Sequence, residues 1–479
     1  MGKSDNLKSN YIFNLFVVIV QAIIPLIVTP VISRILEPDG IGVYSYTYSL
    51  IIIFISIGTL GTSTHGQRQI AMFSEDKEKY SKIFYEIFFL RFICLFLTLG
   101  VFAISILFIE RYATYFWLQI PFFVAAMLDI TWLYQGLEKF KSVAIKNILI
   151  KLLGLILIFI LVRKKEDLWL YILILSSTQL LGDAALWLNI KEIVCKVPLK
   201  ALNLKTHFKD VMVYFIPTIA FQFYSMIDKV ILGIFSTEEE TGYYEQAHKI
   251  VDLCVSFLTA YNVVIRSRMS YLFAKTDTEG IKTNISKSVQ FVLLLALPIS
   301  LGIMGIASNF VQWFFGSGYE KVAILLVVVA PIIILMSFIT CLDSIVFTPF
   351  GLQSKANVAT VSAAIFNCFA TLILIPWLQS LGAVIASLLA EIIILVIYFL
   401  YAKKYIPFKQ VILLSYKYVI SALVMLLGVY ILGMYVHGIL GTIIQIGCGA
   451  IIYFAMILIL RDKFVINTIK SIFKRRSNS

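Results

Sequence analysis

Acidic and basic side chains stand inside stretches of this sequence that are otherwise apolar enough to lie in hydrocarbon. Glu245, Lys249 and Asp252 recur at spacings of four and three, which places them on one face of a helix. Asp228 and Lys229 lie near the end of the preceding apolar run. An ammonium group in such a place can bind an anionic substrate, and a carboxylate that loses its cationic partner can take up a proton. We therefore expect all five to line a water-filled cavity, in which the lysines bind substrate and the carboxylates are candidate sites for a coupling ion, H+ or Na+.

Three further basic residues are candidates for substrate binding. A charge at the centre of a membrane helix costs about 2.5–3.5 kcal/mol, so it must be paired or face water. Arg91 and Lys151 stand at the depth of two acidic residues, and internal pairs with Asp129 and Asp183 are the alternative to a substrate role. Arg34 lies one turn from the end of its run, where a long side chain can also reach the interface. Both interpretations stay open for all three.

The elements that position these residues are predicted to be membrane-spanning helices. The 479-residue chain is 60% hydrophobic and 14% charged, with a mean hydropathy of +0.93. A soluble protein is about 45–50% apolar and 25% charged. About fourteen apolar runs are long enough to cross a bilayer, and none alternates as the strands of a β-barrel do. The sequence thus predicts an all-α polytopic membrane protein with about fourteen transmembrane helices.

The basic residues indicate how these helices are oriented. Most of the 40 lysines and arginines lie in the termini and in loops that follow an even-numbered span. The positive-inside rule then places both termini in the cytoplasm. The loop RKKED at 163–167 is the exception, because it is placed outside despite three positive charges. The net charge of +13 therefore indicates contact with anionic lipids, and nucleic acid is not an expected partner.

Cofactor and enzyme chemistry have no support in the motifs. The six cysteines show no CxxC spacing, and the four histidines show no metal-ligand spacing. No GxxxxGK[ST] loop for ATP occurs, and every predicted loop is too short for a separate catalytic domain. We predict no cofactor, no metal and no enzymatic activity.

A weak internal repeat divides the chain. GVYSY at 42–46 and GYYEQ at 242–246 each follow an acidic turn. Six spans per half give the halves the same orientation, as in transporters that bind substrate between two lobes. We predict one lobe at 1–195, a second at 196–405, and two additional helices with a basic tail at 406–479.

Prolines in the first span of each half are candidate hinges for rocking of these lobes. Pro25, Pro30 and Pro217 each remove a backbone hydrogen bond. Membrane helices tolerate this where a neighbour or cavity water satisfies the freed carbonyl. A simple packing kink is the alternative.

Five segments carry a resemblance to a known family. They are PLIVTPVISRILEPDGIGVYSY (25–46), GTSTHGQRQIAMFSEDKEKYSKIF (61–84), WLYQGLEKFK (132–141), YFIPTIAFQFYSMIDKVILG (214–233) and TGYYEQAHKI (241–250). Through them the sequence resembles a polysaccharide flippase of the Wzx type, in the superfamily that includes multidrug exporters of the MATE class and lipid II flippases. Two positions depart from that family, which usually has glycine at Glu37 and tyrosine at His65.

The resemblance implies a carrier that moves an undecaprenyl-pyrophosphate-linked oligosaccharide from the inner to the outer leaflet of the bacterial plasma membrane. It implies alternating access driven by an ion gradient or the membrane potential, a groove for the polyprenyl tail at the two additional helices, and polysaccharide polymerase machinery as a partner. O-antigen, capsule or a similar polymer would be the product. A MATE-like cation-coupled multidrug antiporter is the alternative, although it usually lacks the two additional spans and the WLYQGLEKFK segment. A polymerase or glycosyltransferase would need a larger loop or domain.

Overall fold

The structure is a computed structural model that describes residues 3–275, 277–403, 405 and 408–467. Every regular element in this part of the chain is a helix, which confirms the predicted all-α class. The helices form two compact units, Met1–Gly242 and Tyr243–Ser479. The predicted lobes and their boundaries stay a prediction.

The first unit contains ten helices and the first turn of an eleventh. They are α1 Lys3–Thr59, α2 Thr62–Met72, α3 Lys77–Ile106, α4 Ala113–Leu118, α5 Ile120–Leu128, α6 Thr131–Gly136, α7 Phe140–Leu161, α8 Leu168–Ala185, α9 Ile190–Ile193, α10 Lys205–Phe235 and the start of α11 Glu238–Ala274.

Helix α1 contains a sharp break where two predicted spans meet. Glu37 has φ 58° and ψ 174°, a backbone conformation that glycine adopts far more readily than other residues. Pro38 follows, and a proline both lacks an N–H and keeps the preceding residue out of the helical region. The break therefore lies at Glu37–Pro38, whereas Pro25 and Pro30 stand inside the helix before it and Pro217 stands inside α10. The hinge role of these three prolines stays a prediction.

The segment WLYQG forms α6 and packs in the core of the first unit. Trp132 and Tyr134 are almost fully buried, and the Tyr134 hydroxyl donates to the carbonyl of Leu186 at 2.6 Å. Gly66 of α2 is needed beside them, since a Cβ there would lie 2.5 Å from the Trp132 ring. This tight packing explains the large aromatic residues Trp132 and Tyr134 in the segment WLYQG.

The second unit contains the rest of α11 and seven further helices. They are α12 Thr278–Phe314, α13 Glu320–Val329, α14 Pro331–Leu342, α15 Gln353–Leu378, α16 Ser380–Ala402, α17 Phe408–Gly433 and α18 Gly438–Ile459.

The last two helices, which the sequence places outside the repeat, pack against α12. The Tyr453 hydroxyl of α18 donates to the carbonyl of Leu294 at 2.8 Å. Further along, Asn309 donates to Gln445 at 2.9 Å. These buried hydrogen bonds fix α18 along the length of α12.

Ten helical segments of the described residues are long and apolar enough to cross a membrane, and eleven are if the bent pair α13 and α14 counts as one span. The two predicted spans in α1 count as one among these. A multi-span membrane protein is thus shown, and the number fourteen stays a prediction.

Candidate functional site

The predicted pair Arg91–Asp129 is present. Arg91 donates to Asp129 at 2.9 Å, to the Ser63 hydroxyl at 2.7 Å and to the carbonyl of Ala126 at 2.9 Å. Its side chain is 4% exposed. These bonds join α3 to the start of α2 and the end of α5. The geometry therefore supports the structural interpretation of Arg91, and its role in substrate binding stays a prediction.

The alternative pair of Lys151 and Asp183 is not formed. Lys151 is exposed on α7, whereas Asp183 is buried on α8 and accepts a hydrogen bond from Gln179 at 2.9 Å. Among the described residues no salt bridge joins the two groups. The depth of a residue along a helix is readable from sequence, but the rotation of that helix against its neighbour is not.

The five residues of the predicted cavity are divided between the two units. Asp228 is buried on α10 and Lys229 beside it is half-buried, both in the first unit. In the second unit Glu245 and Lys249 are half-buried on α11 and Asp252 is exposed. Their assembly into one cavity stays a prediction.

Arg34 is exposed on α1, three residues before the break in that helix. Its substrate role likewise stays a prediction.

Loop 163–167 has acidic partners that the sequence did not reveal. Lys165 Nζ lies 2.8 Å from Glu37 Oε2 and 2.9 Å from Asp39 Oδ1. One lysine thus bridges both carboxylates of the turn that breaks α1. The contact places this loop beside the loop between the first two predicted spans, and the alternation of spans puts both loops on the same side of the membrane. The positive charge of Lys165 is compensated by these two carboxylates.

A second ion pair holds the turn between α10 and α11. The Glu238 carboxylate accepts from the guanidinium of Arg111 and from the hydroxyl of Tyr112. Burial raises the pKa of Glu238, but these hydrogen bonds outweigh it and hold the pKa of the carboxyl below its usual range. The turn before α11 is therefore fastened to the loop between α3 and α4.

Two glycines of the internal repeat pack backbone to backbone. A Cβ on Gly42 would lie 1.7 Å from the carbonyl oxygen of Glu238. A Cβ on Gly242 would lie 2.0 Å from the carbonyl oxygen of Pro38. Residues 38 and 42 correspond to 238 and 242 in the repeat, so each contact is the counterpart of the other, as in a contact around a two-fold axis. We call this pair of contacts the glycine contact; it brings α1 against the start of α11.

Polar residues that sequence reasoning missed are brought together by the fold. Glu86, an acidic residue inside the third apolar run, accepts a hydrogen bond from His207, which in turn contacts His65. The signal for Glu86 was its charge within an apolar run, the same signal that identified Arg91. No comparable signal marked Arg111 or His207, because both lie in polar loops of the sequence.

Long apolar helices with an ion pair buried between them define a polytopic membrane protein. The lipid-facing character is clear from large exposed apolar side chains such as Phe96, Leu97 and Trp377, which are 62%, 62% and 84% exposed. The chain belongs to the family described as polysaccharide biosynthesis protein, which it matches over residues 7–273.

Two relatives carry transporter names. The chain is 25% identical over 394 residues to a putative O-antigen transporter of Escherichia coli strain K12, which covers 81% of this chain and 95% of that protein. It is 27% identical over 189 residues to a probable low-salt glycan biosynthesis flippase of Haloferax volcanii, 39% of each chain. The relatives are transporters and flippases, not enzymes.

Two solved structures share the fold. The lipid II flippase MurJ in an inward closed conformation superposes with a TM-score of 0.68 at 15% identity, over 91% of this chain and 99% of that one. An inward-facing MATE family multidrug resistance transporter superposes with a TM-score of 0.58 at 15% identity, over 80% and 97%. At this identity the likeness establishes the fold alone.

Proposed function

We propose that this protein moves an undecaprenyl-pyrophosphate-linked oligosaccharide repeat unit from the inner to the outer leaflet of the bacterial plasma membrane. The polymer it serves is O-antigen, capsule or a similar polysaccharide. The observation that carries the proposal is the match to a putative O-antigen transporter over 81% of this chain and 95% of the relative. The shared fold with MurJ agrees with a lipid-linked cargo.

The chemistry of the cargo agrees with the residues of the predicted cavity. A diphosphate and sugars cannot cross hydrocarbon, whereas a polyprenyl tail can stay there. Lys229 and Lys249 would hold the diphosphate, and Arg34, Arg91 and Lys151 are further candidates. Transport would proceed by alternating access of the two lobes.

The driving force is proposed to be an ion gradient or the membrane potential. Asp228, Glu245 and Asp252 would exchange H+ or Na+ when substrate displaces them from the lysines. Both termini would face the cytoplasm, where anionic lipids meet the basic loops, and polymerase machinery would take the product.

Deletion of the gene in its host tests the proposal. Lipid-linked repeat units should accumulate on the cytoplasmic side and surface polymer should disappear, and the wild-type gene should restore both. Increased sensitivity to cationic drugs with normal polymer would instead support the MATE-like antiporter, whose fold is also shared.

A further inference from the structure

Three buried titratable groups form a continuous hydrogen-bonded chain in the first unit. His207 Nε2 lies 2.9 Å from Glu86 Oε2, and His207 Nδ1 lies 3.0 Å from His65 Nε2. Glu86 is 5% exposed, His65 2% and His207 6%. These hydrogen bonds join α2 and α3 to the first turn of α10, which lies more than 100 residues further along the sequence.

Glu86 is also the last of several anchors that fasten the segment 192–207 to α3. The anchoring residues of α3 are Lys77, Tyr80, Ser81 and Glu86, within its first ten residues. The bonds are Lys77 Nζ to the carbonyl of Glu192 at 3.0 Å, Tyr80 hydroxyl to the carbonyl of Ile193 at 2.7 Å, the N–H of Cys195 to Ser81 Oγ at 2.9 Å, and the N–H of Asn203 to Glu86 Oε1 at 2.8 Å.

The three groups can hold one added proton without losing a hydrogen bond. Without it, His207 donates to Glu86 and accepts from the Nε2–H of His65, and the buried site carries one negative charge. A proton added at Nδ1 of His207 neutralises the site, and His65 accepts the new bond once its own proton resides on Nδ1. The bond to Glu86, whose acceptor is already ionised, then joins two opposite charges and is strengthened.

A second added proton would break the hydrogen bond between the two histidines. It would place two imidazolium rings with their facing nitrogens 3.0 Å apart, and like charges at this distance disfavour each other strongly. Burial lowers the pKa of the His65 imidazole, and its neighbour His207 lowers it further. His65 therefore stays neutral while His207 holds the added proton, and it serves as the acceptor.

The other charged groups near Glu86, His207 and His65 do not take the place of these residues as proton acceptors or hydrogen-bond partners. Lys82 Nζ lies 4.0 Å from Glu86 Oε1, but its side chain is 48% exposed and well hydrated. Asp210 of α10 raises the pKa of His65 and Arg68 of α2 lowers it, both as smaller contributions than burial. Arg68 itself donates to the hydroxyl of Tyr214 at 2.9 Å.

We propose that Glu86, His207 and His65 form a proton-binding site that takes up one proton and excludes a second, and that its occupancy sets how firmly the segment 192–207 is held on α3. The segment is held most firmly with one proton bound. It loosens only at a pH low enough to force the second proton onto His65, which breaks the hydrogen bond between the two histidines. By the alternation of predicted spans this site faces the cytoplasm, so it would respond to cytoplasmic pH.

Nuclear magnetic resonance of the purified full-length protein with 15N-labelled histidine tests the binding site directly. The chain has four histidines, so single replacements assign every signal. The imidazolium signal should belong to His207 and not to His65. Glu86→Gln keeps an acceptor but removes the charge, and at one fixed pH it should lower the imidazolium share of the His207 signal. Glu192→Gln, an exposed carboxylate of the same segment, is the matched control and should leave that share unchanged.

Hydrogen exchange of residues 192–207 tests the second part. Compared with wild type at the same pH, Glu86→Gln should exchange faster by about tenfold or more, because charge-assisted bonds are lost. Should Glu86→Gln fail to fold, His65→Tyr remains informative. A tyrosine hydroxyl can donate or accept but gains no charge on acidification, so the loosening that we expect for wild type at acidic pH should be absent.

Two results would overturn the proposal. One is a pair of histidines that stay neutral from pH 5 to 8. The other is an imidazolium share of the His207 signal that responds equally to Glu86→Gln and Glu192→Gln. Because both measurements use the purified protein, they hold whether or not it carries a lipid-linked oligosaccharide.

Discussion

Replacement of Gly42 by alanine should show how tightly the glycine contact is packed. The new Cβ would lie 1.7 Å from the carbonyl oxygen of Glu238 and 2.6 Å from its carbonyl carbon. Non-bonded heavy atoms are most stable about 3.5–4.0 Å apart, so the turn before α11 would have to move by about 1.5–2 Å. Both partners are backbone, which cannot rotate away as a side chain would. The cost should therefore lie near the upper end of the range for overpacking, about 3 kcal/mol.

The measurement is thermal unfolding of the purified protein in detergent. For a folding unit of about 150–250 residues, 1 kcal/mol corresponds to about 2–4 °C, so Gly42→Ala should lower the melting temperature by about 6–12 °C. Gly242→Ala should act in the same direction, since its Cβ would lie 2.0 Å from the carbonyl oxygen of Pro38.

Gly100→Ala is the matched control. Gly100 lies inside α3, and a Cβ there would meet nothing within 4 Å. An alanine in the interior of a helix is about 0.8–1.0 kcal/mol more favourable than a glycine, so this variant should melt at the same temperature or slightly higher. Equal melting temperatures for Gly42→Ala and Gly100→Ala would refute the close backbone contact and the magnitude derived from it.

Substitutions at four further residues test other parts of the structure. Glu37→Gly should stabilise the protein by about 1 kcal/mol in the same melting assay, because relief of the positive φ outweighs the loss of an exposed salt bridge. A Glu37→Gln variant that gained as much would show that the backbone is not strained. Arg91→Ala should lower the free energy of unfolding by about 3–5 kcal/mol, seen as low yield and early melting, since it leaves Asp129 without its cationic partner. A melting curve like that of wild type would contradict this. Lys249→Ala should abolish polymer export while the protein still inserts, and Lys249→Arg should retain part of it; normal export by the alanine variant would remove this residue from the cavity. Pro217→Ala should slow export at normal expression, and an unchanged rate would leave that proline a packing kink.

Hydropathy and charge patterns determined the class of this protein without any help from tertiary contacts. In lipid every backbone polar group must be satisfied within its own segment, so long apolar runs can only be helices, and the all-α class followed from composition. The pair Arg91–Asp129 was also predictable, because a buried charge needs a partner and depth along a helix limits the choice. The family followed from short motifs of residue types.

Tertiary structure alone decided which distant residues meet. Lys151 and Asp183 have suitable depths but do not pair, because the rotation of α7 and α8 is set by packing along their whole length. Lys165 finds two acidic partners more than a hundred residues upstream, and neither loop carries a sequence signal for the other.

The break in α1 and the buried histidine chain show the same division. A proline in an apolar run predicts a kink, but the sharp break in α1 lies at Glu37, where the backbone conformation favours glycine. The contact between His65 and His207 depends on how α10 lies against α2, over a separation of 142 residues. Periodicity and composition act within a segment and are therefore legible in the sequence, whereas the pairing of polar groups between segments is a property of the packed chain.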